Sequence, residues 1–404
     1  MRGFPEDFAT ASKQSAHDER RALAIAATAH ALHDGYTDLI YIMLPLWQAE
    51  FALSYAALGV LRGAFVGAMA SLQIPAGFAA ERFGAAAVLG LGTALAGLGY
   101  CLAGLSGGFA TLLAALCVGG LGASAQHPVA SALVARAFAG PRSLQMLGTY
   151  NFSGDIGKMT VPAALSLMLL VLPWRPALSI LGALGLVLAL AILMLTPRYD
   201  AAAPAVAAAQ REPPAASRAP RAFLLLLAIG VIDSATRMGF LLFLPFVLTQ
   251  KGASVPTIGL AMTLIFAGGA TGKLACAFIG ARIGATATVW LTEGLTALGI
   301  MLLFPLPLQG VLVLLPLVGA ALNGTSSVLY GSVPELVTAE RRTRALGVFY
   351  TGTIGSGALA PMLFGLAGDA LGVRSALALV AVLVLLTVPL AALLRFERAR
   401  RQAA

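Results

Sequence analysis

Long apolar runs recur along the whole chain, and this feature limits its fold more than any other. A helix needs about 20 residues to cross a hydrocarbon core of roughly 30 Å, and runs of that length follow one another through all 404 residues. Hydrophobic residues make up 59% of the chain and charged residues only 11%, which would leave large apolar patches on a water-soluble domain. The sequence therefore predicts an all-α integral membrane protein in contact with the lipid bilayer, and not a barrel of short alternating strands.

Charged residues, prolines and glycines divide the chain into twelve candidate membrane-spanning helices. Their ranges are 22–48, 55–80, 85–105, 108–135, 144–172, 176–196, 222–249, 256–279, 285–306, 309–337, 345–370 and 375–395. Residues 197–221 are rich in Ala and Pro and carry charges, so they predict a flexible linker. We expect two six-helix bundles, at 22–196 and 222–395, with a charged segment at 1–21 and a basic tail at 396–404.

The distribution of Lys and Arg predicts the orientation. Nineteen of the 26 lie in segments on the same side as the two termini, and three, Arg175, Lys251 and Arg374, lie on the other side. The positive-inside rule then places both termini and the linker in the cytoplasm, in a multi-pass protein of the cell inner (plasma) membrane. Because these basic residues stand at the ends of apolar runs and not in one soluble patch, we expect no nucleic-acid partner.

The two halves of the chain carry an internal repeat. Four pairs match at an offset of 200 residues and two at an offset of 199: Pro45 with Pro245, Gly59 with Gly259, Arg82 with Arg282, Gly84 with Gly284, Gly148 with Gly347, and Pro162 with Pro361. These residues flank corresponding predicted helices, which indicates two structural repeats.

The loop between the second and third predicted helices reads GFAAERFG (77–84). It resembles the Gly-x-x-x-acid-base-x-Gly signature of the major facilitator superfamily, whose members have two six-helix halves joined by a cytoplasmic linker. In that superfamily the loop braces the cytoplasmic gate. The resemblance thus implies a gating role for Gly77, Glu81, Arg82 and Gly84 and, at the equivalent place in the repeat, for Arg282.

Two further stretches, 30–59 and 120–138, are similar to the fosmidomycin-resistance efflux proteins. That group pairs a His-x-x-x-Asp in its first helix with a His-Pro in its fourth, and His30, Asp34, His127 and Pro128 match this pattern. Val129 stands where an acid can follow His-Pro in the group. The resemblance covers mainly the N-terminal half.

Three predicted helices place ionisable residues near the middle of the membrane. The first holds His33, Asp34 and Asp38, the fifth holds Asp155 and Lys158, and the seventh holds Asp233 and Arg237. A charge at this depth costs about 2.5–3.5 kcal/mol on insertion scales, so such residues normally face a watery cavity or a partner. In the superfamily these helices surround a central cavity, which implies that the residues point inward.

We predict that Asp34 carries a coupling proton with the help of His30, His33 and Asp38, since a carboxylate beside histidines can exchange protons near neutral pH. Substrate contacts are predicted for a second set: His127, Asp155, Lys158, Asp233, Arg237 and Arg62. Other interpretations stay open. Asp233 and Arg237 can neutralise each other within one helix, Asp155 and Lys158 can clamp neighbouring helices, and Arg62 can either snorkel to the membrane surface or guide anions into an outer entrance.

Other residues of the predicted helices suggest structural roles. Glu293 falls in a helix that is peripheral in the superfamily, so we expect it to be structural. Small residues and prolines in the fifth and eleventh helices predict close helix approach and bending: Gly148, Gly154, Gly157, Pro162, Gly352, Gly355, Gly357 and Pro361.

Together these features predict a secondary transporter and not an enzyme. We expect proton-coupled efflux, by alternating access, of a small polar or amphipathic organic compound, anionic if the two cations bind it. No Walker loop is present for ATP, so the proton gradient is the expected drive, without a cofactor. The spacing of the four histidines predicts no metal site, and we expect a monomer. Proton-symport uptake of an organic anion is the alternative, and a non-transporting receptor or membrane enzyme is a more remote one.

Overall fold

The computed structural model describes residues 4–138, 140–197, 220–338 and 341–402, which form helices and the turns between them. The α-helices are α1 (Phe4–Phe51), α2 (Tyr55–Ser71), α3 (Gln73–Phe83), α4 (Ala85–Gly104), α5 (Phe109–Ala123), α6 (Ser131–Ala137), α7 (Pro141–Met168), α8 (Trp174–Leu195), α9 (Pro220–Gln250), α10 (Val255–Ile283), α11 (Ala285–Leu302), α12 (Leu308–Ser332), α13 (Arg342–Leu385) and α14 (Thr387–Gln402). A π-helical turn at Gln126–Ala130 precedes α6, and a 3₁₀ turn at Val333–Glu335 follows α12.

All twelve predicted ranges are largely helical, with three differences of detail. The second is bent by 42° between α2 and α3, the fourth passes through the π-helical turn, and the last two run together through α13, which breaks at Gly372. Most of the predicted linker (198–219) and the end of the predicted tail (403–404) lie outside the described residues.

Length and apolar composition alone qualify eight helices of the described chain as membrane-spanning, or nine if α2 and α3 count as one bent span. α1 and α7 are not among the eight. These two helices hold the ionisable residues of the first and fifth predicted spans, which make them less apolar than their neighbours.

The repeat is visible in the backbone at Gly84 and Gly284. Gly84 ends α3 with φ 89° and ψ 148°, and Gly284 ends α10 with φ 83° and ψ 160°. Residues with a Cβ rarely adopt this conformation, so glycine is required at both turns. The two halves of the chain thus make the same turn at equivalent positions.

Contacts divide the chain into two compact units. Unit 1 consists of residues 1–38, 68–161 and 172–207, and unit 2 of residues 39–67, 162–171 and 208–404. The domain boundaries expected from the sequence, 22–196 and 222–395, stay a prediction.

In unit 1, α4 packs closely on its neighbours through glycines. A Cβ on Gly97 would lie 2.5 Å from the carbonyl oxygen of Gly182 in α8, and one on Gly99 would lie 2.5 Å from Cα of Gly119 in α5. The hydroxyl of Tyr36, on α1, donates to the carbonyl of Leu181 in α8. These contacts hold the first, third, fourth and sixth predicted spans together without bulky side chains between them.

Unit 2 is joined by small-residue contacts and by one acidic residue. Gly268 and Gly272 of α10 pack directly against backbone carbonyls of α12. Asp369, on α13, accepts hydrogen bonds from the backbone N–H groups of Tyr55 (2.7 Å) and Ala56 (3.0 Å) at the start of α2. Its carboxylate therefore supplies acceptors for two N–H groups of the first turn, which have no partner within the helix.

Candidate functional site

The first cluster of ionisable residues forms around Asp34 in unit 1. Nε2 of His30 lies 3.5 Å and Nε2 of His33 lies 3.7 Å from Oδ1 of Asp34. His30 and Asp34 are four residues apart on α1 and so share one helix face, as the sequence predicts. Both are buried, with 3% and 7% of their surface exposed. We call His30, His33, Asp34, His127 and Lys158 the Asp34 cluster.

Lys158 approaches Asp34 from another helix. Its ammonium, on α7, lies 3.3 Å from Oδ2 of Asp34, and the Lys158 side chain is 28% exposed whereas that of Asp34 is 11% exposed. The lysine therefore neutralises the buried carboxylate and keeps part of its own surface open.

The backbone of α7 fixes the ring of His30. Nδ1 of His30 lies 2.8 Å from the carbonyl oxygen of Tyr150, and the two rings stack with centroids 4.3 Å apart. A carbonyl can only accept, so Nδ1 carries a hydrogen and donates it. In a neutral ring Nε2 then presents its lone pair to the Asp34 carboxylate. A proton bound on the imidazole or on the carboxylate turns this repulsive contact into a hydrogen bond. The geometry can therefore hold one additional proton between His30 and Asp34.

His127 joins the cluster from the π-helical turn. Its ring centroid lies 5.2 Å from that of His30 and 4.9 Å from that of His33. One ligand atom each from His30, Asp34 and His127 lie within 4.8 Å of one another, close enough for a metal ion. The Lys158 ammonium beside the carboxylate would, however, repel a divalent cation.

Gly154 makes room for the cluster. A Cβ at this position in α7 would lie 2.5 Å from Oδ2 of Asp34 and 2.7 Å from Cε1 of His30. The sequence suggests only helix approach for Gly154. The structure adds that the missing side chain leaves the carboxylate and the imidazole their space.

A second cluster lies in unit 2 around Asp233. Nη2 of Arg237 lies 3.9 Å from Oδ2 of Asp233, one turn apart on α9. The carboxyl of Glu293, on α11, lies beside the Asp233 carboxyl and beside the hydroxyl of Thr325 on α12. Asp233 and Glu293 are 3% and 1% exposed. We call Asp233, Arg237 and Glu293 the Asp233 cluster.

Asp38, Asp155 and Arg62 are the remaining residues with a predicted site role. Asp38 is buried at 5% exposure, and Asp155 is partly exposed on α7. Arg62 is 1% exposed, with its guanidinium carbon 4.8 Å from the ring centroid of Tyr41. Its position differs from both expectations, since a buried guanidinium packed on an aromatic ring neither reaches the membrane surface nor lines an open entrance.

The residues with a predicted gating role lie at the ends of α3 and α10. Glu81, Arg82 and Arg282 are exposed, and Gly77 lies inside α3. The Arg82 guanidinium carbon lies 5.4 Å from the ring centroid of Phe83. Gly84 forms the turn described above.

Sequence reasoning missed two features of the clusters. The carbonyl of Tyr150 is a backbone group, and no residue type signals its role. Glu293 is assigned a structural role by the position of its helix, although an acidic residue within an apolar run is itself a signal.

The chain is thus a multi-pass helical membrane protein with buried ionisable clusters inside its helices. The model of the Major Facilitator Superfamily matches residues 26–232 and 225–404, and the chain belongs to that family. It is therefore a secondary transporter of a small molecule and not an enzyme.

Individual proteins that are similar to this chain are consistent with its membership of this family. The fosmidomycin resistance protein of Escherichia coli (strain K12) is 27% identical over 158 residues, which is 39% of each of the two chains. The crystal structure of a bacterial homologue of the human lysosomal transporter Spinster, inward-facing and unoccupied, matches with a TM-score of 0.77 and 17% identity, over 94% of this chain and 97% of that one. The crystal structure of the nucleoside transporter NupG matches with a TM-score of 0.73 and 15% identity, over 94% of this chain and 98% of that one. The two structures show the shared fold.

Proposed function

We propose that the protein is a proton-coupled exporter of a small polar or amphipathic organic compound, working by alternating access. It would act as a monomer in the inner membrane, with twelve membrane-spanning helices, both termini cytoplasmic and the loop at Gly77–Gly84 as part of the cytoplasmic gate. The partial likeness to a fosmidomycin resistance protein supports export. The proton gradient would drive it without a cofactor.

One observation carries the proposal, namely the contact of the Asp34 carboxylate with both an imidazole and an ammonium. His30 and Lys158 lie 3.5 Å and 3.3 Å from its two oxygens. Asp34 would take up the proton, which His30 and His33 would receive or pass on. Lys158, and Arg237 in the second cluster, would then offer positive charge to an anionic group of the substrate such as a phosphonate or carboxylate.

Asp34 and an anionic substrate would compete for Lys158. Protonation of Asp34 removes its negative charge and releases the ammonium, so the proton and the anion are bound more strongly together than apart. This linkage favours a second candidate function, the uptake of an organic anion by proton symport.

Transport by reconstituted protein tests both functions. Asp34→Asn keeps the shape of the side chain and cannot change its charge, so it should abolish gradient-driven transport while the protein still reaches the membrane. Wild-type rates in this variant would remove Asp34 from the mechanism. Glu397→Gln, outside the two clusters, is the matched control.

The direction of coupling can be measured in proteoliposomes with an imposed pH gradient. Fosmidomycin is the first probe, and a panel of small phosphonates and carboxylates is the second. Accumulation on the acidic side indicates antiport, whereas accumulation on the alkaline side indicates symport. Drug-susceptibility profiles of cells that lack or overproduce the protein would identify the class of substrate.

A further inference from the structure

Unit 2 holds a pair of carboxyl groups that the proposed function leaves without a role as a pair. Asp233 and Glu293 come from α9 and α11, their carboxyl groups are neighbours, and both are almost fully buried. An ionised carboxylate has only acceptor oxygens. Two such neighbours repel each other when both are ionised, whereas a proton on one of them allows it to donate a hydrogen bond to the other.

The local charges lead to the same result. Arg237, whose nearest nitrogen is 3.9 Å from Asp233, supplies one positive charge. Two ionised carboxylates would leave a net charge of −1, whereas one bound proton brings the cluster to zero. An uncompensated charge inside a membrane protein is expensive, so the protonated form is favoured.

An oxygen of Glu293 supports this independently. Oε1 of Glu293 is buried and has no hydrogen-bond partner among the described residues. A lone oxygen costs more when it carries ionic charge than when it belongs to a neutral acid, because a charged group loses more hydration on burial. Protonation of the pair lowers that cost.

We infer that Asp233 and Glu293 share a single proton and form a second proton-binding site, whose occupancy is controlled by Arg237. The side chain of Arg237 is 23% exposed, whereas that of Asp233 is 4% exposed. An anion can thus reach the guanidinium without displacing either acid. The link to a transported anion rests on the proposed function, but the shared proton does not.

Removing the influence of Arg237 strengthens proton binding. When an anion or a mutation neutralises the guanidinium, the acids lose the positive charge that favours their ionised form. They then keep the proton to higher pH. Tyr330, on α12, is a further titratable group near the pair, and its ring lies 4.7 Å from that of Tyr350 on α13.

Infrared spectroscopy of the full chain in lipid, titrated with acid and base, tests the site directly. The C=O stretching band of a protonated carboxylic acid should be present in the wild type at neutral pH. Asp233→Asn and Glu293→Gln should each lose it, because the new carboxamide donates to the remaining carboxylate and no proton is needed. Size-exclusion profiles verify that both variants fold, and Glu397→Gln should keep the band.

Two more variants separate this inference from the proposed function. Asp34→Asn should keep the band even though transport is lost, so the two claims can fail independently. Arg237→Gln should keep the band to higher pH than the wild type, whereas Arg237→Lys should titrate like it. An unchanged band in both Asp233→Asn and Glu293→Gln, or an unchanged titration in Arg237→Gln, would overturn the inference. If the two carboxamide variants fail to fold, the titrations of the wild type and of the two Arg237 variants still test the shared proton.

Discussion

The Lys158 ammonium lies 3.3 Å from the Asp34 carboxylate and joins α7 to α1 through an ion pair. The two residues differ in access, since 28% of the lysine side chain and 11% of the aspartate side chain is exposed. A ligand can therefore contact the cation while the carboxylate stays enclosed by His30 and His33. Under the proposed function, substrate and proton would therefore act on different atoms of one interaction.

Removal of Lys158 should lower the stability of the protein through its effect on Asp34. Lys158→Met leaves a buried carboxylate without its cation, so we expect a lower midpoint of thermal unfolding in detergent. The double variant with Asp34→Asn should recover much of that loss, with a coupling of roughly 0.5–3 kcal/mol. Lys251→Met is the control, because its ammonium donates to the carbonyls of Phe304 and Leu306 and should add independently to Asp34→Asn. Strict additivity with Lys158→Met as well would show that the ion pair contributes no stability.

A methyl group at Gly154 should disturb the Asp34 cluster. Its Cβ would lie 2.5 Å from Oδ2 of Asp34, and overpacking of this kind costs about 1–3 kcal/mol. We expect Gly154→Ala to reduce transport strongly and to alter its pH profile. Gly148→Ala, on the same helix, meets nothing within 4 Å and should transport like the wild type. Equal activities would mean that the cluster does not depend on this space.

Asp369 should stabilise the start of α2 more than an ordinary helix cap does. Asp369→Ala leaves the N–H groups of Tyr55 and Ala56 without their acceptor, and loss of a capping residue typically costs about 1 kcal/mol. Ser54→Ala removes a local bond, from the N–H of Ala57 to the Ser54 hydroxyl, and should cost less because that bond involves no charge. Unfolding midpoints of the two variants provide the comparison, and a larger loss in Ser54→Ala would contradict the assigned role.

Gly84 should tolerate no side chain. Its φ of 89° and ψ of 148° are accessible almost only to glycine, and an alanine there should cost about 1–3 kcal/mol although no atom lies within 4 Å. Gly77→Ala, within α3 and equally free of neighbours, should be neutral or stabilising by up to about 1 kcal/mol, because alanine favours a helix. Thermal unfolding of both variants distinguishes backbone strain from simple bulk.

The helices were predictable because hydropathy and helix length both follow from the lipid solvent. The spacing of His30 and Asp34 was also readable, since residues four apart share a helix face. The approach of Lys158 to Asp34 was not, because nothing in a single sequence fixes how far one helix is rotated against another. The sequence predicts only that Asp34 and Lys158 lie at a similar depth in the membrane, and a shared depth does not fix the distance between two side chains.

Two side chains have surroundings that the sequence did not indicate, and the reasons are physical. The expectation for Glu293 rests on the position of its helix in the family, yet its buried carboxyl reaches Asp233. Arg62 is expected at a water-exposed place because a cation usually needs one, yet it packs on the Tyr41 ring, where π electrons replace part of the lost hydration. In both residues, tertiary contacts decide what the side chain faces.

Close packing between α1 and α7 limits how the Asp34 cluster can move. A Cβ on Gly157 would collide with the backbone of Ala31, and one on Gly35 would collide with the side chain of Val161. Two helices in such intimate backbone contact cannot rotate or slide against each other without opening a void, so they form a single mechanical element. The Asp34–Lys158 contact is then insulated from large relative motions of the two helices, and under the proposed function the arrival of a proton or an anion would switch it.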